Sequence, residues 1–491
     1  MSTAAMSKGV ALPHSSLAWF VAVMASAAVL FMANVPAATV VLAFGLVFLG
    51  AFLRFAPLLY LMIFLIPLAP MMEVPGLFIH DFASLSRIVL FAGVLASRIV
   101  HDKPIISWLI KGKLEKWGLA LLAVAAFSAA IAHPLESGSE RSLFRLLSYV
   151  LFYYSFTGWV SSSAQLRKCL AALFLSAIAV CAFAFHQVAV NGLGGWFSWL
   201  YYNQMEVAPQ WVGRVTSVFL GVNSLSAHLN IIISFALAVF AYAGTEKRLR
   251  SLAAVCTALS IIVLVLTLSR GAFLAFFVML AILFATVLRA KEVRRKVLAL
   301  IAVSAIAGSA LSYYVIQAAD NGSGGSPMDR FTSVDEGTVL RGLIYAAAWN
   351  MFTSSPLTGI GYGNFRERFN SRTGDGPEDR WDVHSLYFKY LAETGIPGLV
   401  IFLGLIFSSI RLARQIWIQR SGDVEPLIAI AVLAGISTVM VQGTVESLIE
   451  NPEFGGLLWF IFALLAIVRD LPQEQPERGI PTKALAAGTQ G

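Results

Sequence analysis

Residues 252–288 read LAAVCTALSIIVLVLTLSRGAFLAFFVMLAILFATVL, which is two apolar runs joined by Ser269-Arg270-Gly271. As a single helix, these 37 residues would extend roughly 55 Å at about 1.5 Å per residue, far more than the apolar thickness of a bilayer. The chain must therefore reverse direction near Arg270. This stretch predicts two membrane-spanning helices with an arginine at the membrane boundary between them.

The composition of the whole chain agrees with a membrane protein. Of its 491 residues, 58% are hydrophobic and only 13% are charged, and the chain contains 35 Phe and 11 Trp. A soluble core cannot bury so much apolar surface, so the composition argues strongly against a soluble enzyme. It predicts an all-α, polytopic membrane helix bundle.

The net charge of +8 does not indicate a nucleic-acid partner. Lysines and arginines lie mainly in short clusters between the apolar runs, which is the pattern that fixes the orientation of a membrane protein. The three cysteines, Cys169, Cys181 and Cys256, lie inside apolar runs. The sequence therefore predicts neither a disulfide framework nor a thiolate metal site.

About fourteen stretches are long and apolar enough to cross a membrane. They lie approximately at 17–33, 36–53, 56–72, 85–100, 117–134, 144–160, 169–190, 216–243, 252–268, 272–288, 298–317, 395–413, 426–445 and 455–469. If the N-terminus is inside, nearly every positive cluster falls on the cytoplasmic side, as the positive-inside bias expects. Both termini are then cytoplasmic, and the longest connection lies outside, which in a bacterium is the periplasmic face of the inner membrane.

The predicted spans divide the chain into four regions. Residues 1–317 hold about the first eleven spans, 318–394 form a long polar loop with amphipathic helices, 395–470 hold the last three spans, and 471–491 form a Pro-rich cytoplasmic tail predicted to be disordered. Most connections in a membrane protein only turn the chain around. Chemistry is therefore expected in the 77-residue loop.

Arginines on the outer side run against the positive-inside bias and require a reason. The planar guanidinium of Arg270 can hold phosphate oxygens through paired hydrogen bonds, and snorkelling to lipid headgroups is the alternative. Arg214 lies at the outer entrance of another predicted span, which continues with Asn223 and His228. Interhelical hydrogen bonding explains Asn223 and His228 about as well as ligand binding does.

Arg341 belongs to a helical pattern within the long loop. Leu340, Leu343, Ile344 and Ala347 recur at helical spacing around it, which predicts an amphipathic helix on the outer surface. An ordinary solvated face would also explain the arginine.

His384 is the only histidine of the loop, and an imidazole titrates near neutral pH, so it is the default general base. An ordinary polar role is the alternative. The residues after it, Leu386, Tyr387, Tyr390 and Leu391, predict a helix that docks on the membrane domain.

The loop also contains a glycine run and a group of acidic residues. Gly359, Gly361 and Gly363 permit positive φ and close approach of a ligand, but they match neither a P-loop nor a dinucleotide fingerprint. The acidic residues lack EF-hand spacing, so a solvated turn is favoured over a metal site; they are Asp375, Glu378, Asp379 and Asp382.

Taken in order, these pieces resemble the O-antigen ligase and polysaccharide polymerase superfamily. The resemblance covers roughly 252–413, and 213–223 is similar to an upstream family element. It is carried by Ser269-Arg270-Gly271-Ala272, Leu340-Arg341-Gly342, the run from Ser355 to Phe365, His384-Ser385-Leu386-Tyr387 and the run from Leu391 to Gly398.

The resemblance implies a metal-independent, inverting glycosyltransferase of the GT-C type that works on the periplasmic side without a cofactor. Its donor would be a glycan on undecaprenyl pyrophosphate. The acceptor would be a lipid A-core sugar in a ligase, or another lipid-linked repeat unit in a polymerase. Ligases often carry an Asn close after the histidine, whereas Ser385 follows here, which leaves the acceptor class open.

Roles follow from the resemblance residue by residue. Arg270 and Arg341 are expected to bind the donor pyrophosphate, and His384 is expected to be the base. Beyond the resemblance, Arg214 is expected to assist the other two arginines. The expected supporting residues are Asn223, Gly361, Gly363 and Tyr387.

Two other classes stay open on the sequence alone. A lipid-linked oligosaccharide flippase or other transporter would also need many spans and intramembrane arginines, although transporters seldom need a large one-sided loop with a histidine. A non-catalytic membrane scaffold is the third class. Formation of a new glycosidic bond would distinguish the transferase from both.

Overall fold

The computed structural model describes residues 37–71, 82–131, 137–189, 214–219, 221–242, 244–287, 291–319, 336–373, 382–420 and 424–472. Within these ranges the chain forms helices and turns and no strands, which confirms the all-α prediction. The predicted span at 17–33, the predicted tail after 472 and the acidic residues 375–379 lie outside the described residues.

Sixteen α-helices follow one another along the described residues. The first eight are α1 (Ala37–Phe52), α2 (Ala56–Phe64), α3 (Phe82–Val100), α4 (Ile106–Leu109), α5 (Lys113–Ile131), α6 (Ser137–Trp159), α7 (Ser163–Ala189) and α8 (Val222–Ala241). The second eight are α9 (Lys247–Leu266), α10 (Arg270–Thr286), α11 (Lys291–Ala319), α12 (Glu336–Ser354), α13 (Phe365–Thr373), α14 (Leu386–Gln419), α15 (Glu425–Gln442) and α16 (Pro452–Asp470).

Nine of these described helices contain a segment long and apolar enough to cross a membrane: α3, α5, α7, α8, α9, α11, α14, α15 and α16. Shorter apolar helices occur at Leu42–Phe52 within α1 and at Arg270–Thr286. The chain is therefore a multi-pass helical protein. The count of about fourteen spans is not confirmed and stays a prediction.

One predicted span takes a different form. Residues 56–72 were expected to cross the membrane, but α2 contains only nine residues and is followed by a 3-10 helix at Ile66–Met71. Pro67 and Pro70 lie in that segment, and proline removes a backbone donor and clashes with the preceding turn. A nine-residue helix is about 14 Å long, roughly half the apolar thickness of a bilayer.

The centre of the bundle is formed by α8 and α16, in which nearly every residue is buried. Helix α8 packs on α9 and α15, and α15 also packs on α10. The hydroxyl of Ser234 on α8 donates to the carbonyl of Ala431 on α15 at 3.0 Å, and a Cβ at Gly435 would lie 3.1 Å from the same hydroxyl. Small residues and interhelical hydrogen bonds thus let the two helices approach closely, as is usual in membrane bundles.

The helix break predicted near Arg270 is present, and the reversal of the chain there stays a prediction. Helix α9 ends at Leu266 and α10 begins at Arg270, with Ser269 at the N-cap position in extended conformation. The turn is closed by the amide of Phe273, which donates to the carbonyl of Ser269 at 3.1 Å.

The helix predicted around Arg341 is α12, and it packs on α14. Its buried residues are Ile344, Ala348 and Met351. Leu343 was expected on the same apolar face but is 62% exposed, because the packed face follows the spacing 344, 348, 351 instead.

Helix α14 begins at Leu386, which confirms the helix predicted after His384. It is interrupted at Gly395, which has φ 67° and ψ −166°, two residues before Pro397. The first part therefore belongs to the loop region, and the second part is the predicted span at 395–413.

Candidate active site

The side chain of Glu446 joins three residues that the sequence singled out. Its Oε1 atom accepts hydrogen bonds from Nδ2 of Asn223 and, at 3.3 Å, from Nη2 of Arg341. Its Oε2 atom lies 3.3 Å from Nδ1 of His384. Since Glu446 is only 7% exposed, this carboxylate is an interior junction between four separate segments of the chain.

The turn that carries Glu446 is fixed by the end of α15. The amide of Val445 donates to the carbonyl of Gln442 at 3.0 Å, and the side-chain amide of Gln442 donates to the carbonyl of Asn223 at 3.1 Å. The carbonyl of Gly443 accepts the amide of Leu386 at 2.8 Å. The ends of α15, α8 and α14 therefore meet at one point, which brings Glu446 to Asn223 and His384.

His384 lies in the short segment before α14 and is half-buried. Its φ is 49°, a left-handed backbone conformation that non-glycine residues seldom adopt. The hydroxyl of Tyr345 donates to the carbonyl of His384 at 2.9 Å. Strained backbone of this kind occurs often at functional sites, where surrounding contacts hold it in place.

Asp382 stabilises the segment that carries His384. Its carboxylate accepts the amide of Val383 at 2.7 Å and lies 2.9 Å from Nζ of Lys389 and 3.7 Å from Nη2 of Arg366. Burial alone would raise the pKa of Asp382, but the charges of Lys389 and Arg366 and these hydrogen bonds hold it well below its ordinary value. Asp382 is therefore an ionised anchor for the segment.

Helix α12 contacts the site through two residues one turn apart. Arg341 pairs with Glu446, and Tyr345 donates to the backbone of His384. The ring of Tyr345 also stacks on that of Phe388 at 5.2 Å, and burial raises the pKa of its hydroxyl above the ordinary value. The guanidinium and the imidazole are thus positioned by the same helix.

Arg270 lies beside this cluster at the first turn of α10, with an exposed side chain. The residue before it, Ser269, donates to Oδ1 of Asn223 at 2.9 Å. The residue after it, Gly271, packs against Val445, such that an added Cβ would lie 3.0 Å from Cγ2 of that valine. Both chain neighbours of Arg270 therefore touch residues of the Glu446 junction.

Arg214 is tied to the turn between α9 and α10. Its Nε atom donates to the carbonyl of Thr267 at 2.8 Å, and the amide of Val215 donates to the carbonyl of Leu266 at 3.3 Å. Arg214 therefore lies close in space to the segment that directly precedes the Ser269-Arg270 turn.

The remaining supporting residues make contacts elsewhere. The amide of Gly361 donates to the carbonyl of Glu393 at 3.1 Å, and Gly363 packs against Ser142, whose hydroxyl would lie 2.6 Å from an added Cβ. The hydroxyl of Tyr387 donates to the carbonyl of Met440 at 2.8 Å. The glycine run thus fits the loop against α6 and α14, and a supporting role for these three residues in ligand binding stays a prediction.

The geometry combines the imidazole of His384 and the guanidinium of Arg341, both in the loop predicted to carry chemistry, with the carboxylate of Glu446, which lies outside that loop. Among the residues that the structure describes, no three His, Cys, Asp or Glu side chains cluster as metal ligands would.

Residues 255–403 match the O-antigen ligase family model. The family resemblance predicted from the sequence is thereby confirmed over this segment. A search of curated proteins found no match.

The O-antigen ligase segment contains Arg270, Arg341 and His384. Asn223 and Glu446 lie outside it and reach the same cluster only through the fold. Together with the apolar helices, the match supports a multi-pass bacterial membrane protein similar to enzymes of the O-antigen ligase or polymerase type.

Sequence reasoning missed Glu446. It is the first residue after the predicted span 426–445, at the end that the orientation assigns to the same side as the loop. A carboxylate at the mouth of a span, on the side where arginines already run against the charge bias, was the available signal.

Proposed function

We propose that the protein transfers a glycan from undecaprenyl pyrophosphate to an acceptor hydroxyl at the periplasmic face of the inner membrane, as an O-antigen ligase does. The observation that carries the proposal is the contact of one buried carboxylate, Glu446, with both His384 and Arg341. A base and a phosphate-binding group thereby share a single junction, as transfer from a pyrophosphate donor requires.

The base chemistry follows from the orientation of the imidazole. With Nδ1 directed at Glu446, the carboxylate favours the tautomer that carries its proton on Nδ1, which leaves Nε2 to accept a proton. The acceptor oxygen attacks the anomeric carbon, its proton passes to Nε2 of His384, and the bond to the pyrophosphate oxygen breaks. Proton transfer of this kind typically contributes about 10²- to 10⁴-fold in rate.

The leaving group is undecaprenyl pyrophosphate, which needs charge stabilisation rather than protonation. Arg270 lies in the first turn of α10, and a helix N-terminus itself favours an anion. The side chain of Arg341 is 37% exposed, so its guanidinium has N–H groups available besides the one directed at Glu446. A displacement of this type inverts the anomeric centre and needs no metal ion.

A polymerase of the same superfamily is the second candidate, and Ser385 after the histidine is the observation that keeps it open. The same junction would then activate a hydroxyl on the non-reducing end of another lipid-linked repeat unit. The product distinguishes the two: a ligase moves one glycan onto a non-polyprenyl acceptor, and a polymerase leaves a longer chain on polyprenyl pyrophosphate.

The test is glycan transfer by the purified full-length protein reconstituted in lipid, scored by formation of a new glycosidic bond. His384→Ala is expected to lose at least 10²-fold in turnover. His101→Ala is the matched control, because His101 bonds only to the carbonyl of Ser97 in the described structure, at 2.6 Å. Near-normal turnover by a folded His384→Ala protein would show that His384 is not the base. Movement of the donor across the membrane without a new glycosidic bond would favour a flippase instead of a transferase.

A further inference from the structure

A second group of cations lies around Trp108, on helices that do not carry the residues of the candidate active site. The guanidinium of Arg98 lies over the ring of Trp108, with Cζ 4.3 Å from the centroid. Gly158 packs on the same ring, such that an added Cβ would lie 2.8 Å from Cζ2 of Trp108. The carbonyl of Gly158 accepts a hydrogen bond from Nη2 of Arg54. The two arginines are therefore held on one Trp108–Gly158 platform.

Lys103 completes this group, which we name the basic cluster: Arg54, Arg98 and Lys103. The amide of Lys103 donates to the carbonyl of Arg98 at 2.9 Å, and Nη2 of Arg98 donates to the carbonyl of Pro104 at 2.9 Å. The charge of Arg54, together with burial and the charge of Arg98, lowers the pKa of Lys103. The three cations are thus close enough to act on one another.

No carboxylate balances the basic cluster within the described part of the chain. None of its three side chains forms an ion pair there, and the nearby Asp102 is exposed and forms none either. The buried Nε atom of Arg98 also has no hydrogen-bond partner. Since like charges at close range repel, an anion held between them would be stabilising.

The basic cluster lies at the membrane face opposite the candidate active site. The first turn of α6 contacts the loop, where Ser139 donates to the carbonyl of Tyr362 at 2.6 Å. Gly158 is at the other end of α6, about 30 Å away at 1.5 Å per residue. Arg98 likewise lies in the last turn of α3.

Exposed aliphatic side chains border the basic cluster. Leu53 precedes Arg54, Ile99 follows Arg98, and Ile106 begins the short helix α4 that carries Trp108; all three are more than half exposed. An anion that binds beside such a surface in a membrane protein would carry acyl chains of its own.

We propose that Arg54, Arg98 and Lys103 bind the phosphate of an anionic phospholipid headgroup in the leaflet opposite the candidate active site. Basic pockets between helices on the cytoplasmic side are known to take anionic headgroups, and the planar fork of an arginine suits a phosphate diester. The site is independent of the glycan-transfer proposal, because none of its residues contacts the Glu446 junction.

The test is native mass spectrometry of the full-length protein, delipidated in detergent and then given phosphatidylglycerol and phosphatidylcholine in equal amounts. The wild-type protein is expected to retain phosphatidylglycerol preferentially. The double variant Arg54→Gln/Arg98→Gln is expected to lose this preference, by about fivefold for each charge removed. The matched control is Lys247→Gln/Arg248→Gln, which removes two exposed cations from the start of α9, at the same face, and is expected to leave the preference intact.

Two further arms keep the proposal testable if the double variant fails to fold. Lys103→Gln changes an exposed side chain, so this variant is expected to fold normally. Its preference for phosphatidylglycerol over phosphatidylcholine is expected to be about fivefold lower than that of the wild-type protein. Soluble glycerol phosphate is expected to compete weakly, because it lacks acyl chains. An equal loss in the α9 control, an unchanged preference in Lys103→Gln, or full displacement by glycerol phosphate would overturn a specific lipid site.

Discussion

Nδ1 of His384 lies 3.3 Å from Oε2 of Glu446, although 62 residues separate the two in sequence. The same carboxylate accepts a hydrogen bond from Arg341. Glu446 thus links the proposed base to a proposed phosphate-binding residue, and it is itself expected to act through them rather than on the substrate.

Glu446→Gln is expected to reduce kcat by about 10²-fold or more, because an amide does not stabilise the imidazolium that forms when His384 takes a proton. Donor KM should change little, since Arg341 loses its carboxylate partner but keeps its charge. Steady-state glycan transfer at saturating acceptor measures both constants. Glu246→Gln, an exposed site beside α9, is the matched control; if it and Glu446→Gln behaved alike, the positioning role would be wrong.

Arg341→Lys is expected to lower kcat/KM for the donor by about tenfold or more, because a lysine keeps the charge but not the planar fork that pairs with phosphate oxygens. Arg270→Lys should act in the same direction. Arg411→Lys, on an exposed position of α14, should have no effect. Unchanged donor kinetics in both site variants would argue against pyrophosphate binding by these arginines.

Tyr345→Phe tests whether the backbone of His384 must be held. Removal of the hydroxyl deletes the hydrogen bond to the carbonyl of His384, a loss of about 1 kcal/mol. We expect kcat to fall roughly fivefold while donor KM is retained. Tyr313→Phe removes a hydroxyl from a tyrosine that is 63% exposed and serves as the control. A drop in thermal stability with normal kcat would assign Tyr345 a purely structural role.

The lowered pKa of Asp382 predicts that the loop region becomes less stable at acid pH. The pKa of this carboxyl is depressed in the folded protein, so its stabilisation is complete above the unfolded value of about 3.9 and is lost as the pH falls toward the folded value. Thermal unfolding in detergent between pH 7 and pH 3 should therefore show a decline in the melting temperature at the acid end. Asp382→Asn should be less stable at pH 7 and should show a smaller decline, whereas Asp102→Asn should follow the wild-type curve.

Local sequence patterns predicted the parts of this site that lie within single segments. The helix break at Ser269-Arg270, the helix around Arg341 and the helix after His384 all follow from apolar spacing and from the length of a bilayer-spanning helix. The predicted span at 56–72 is not confirmed, because hydropathy alone does not register that Pro67 and Pro70 interrupt the backbone hydrogen-bond ladder after α2.

The junction itself could not be predicted in the same way. Asn223 and Glu446 are 223 residues apart, and they meet because α8 and α15 pack closely through Ser234 and Gly435. A lone glutamate after an apolar run carries no motif, so its role emerges only when the helix ends are brought together. The basic cluster could not be predicted either, because its residues are brought together only by the fold. In the sequence its cations belong to the general charge bias, whereas in the structure Arg54 and Arg98 both contact the platform formed by Trp108 of α4 and Gly158 of α6.

The glycine run offers a test of the packing that orients the loop. Gly359 has φ 68°, and an added Cβ would lie 2.2 Å from the backbone carbon of Glu393. Gly359→Ala is therefore expected to lower the free energy of unfolding by about 3 kcal/mol or more, through both backbone strain and overlap with α14. Gly45→Ala is the control, because Gly45 lies in α1 with open space around it and should be neutral or slightly stabilising. If the two variants unfolded at the same denaturant concentration, the close contact between the glycine run and α14 would be absent from the folded protein.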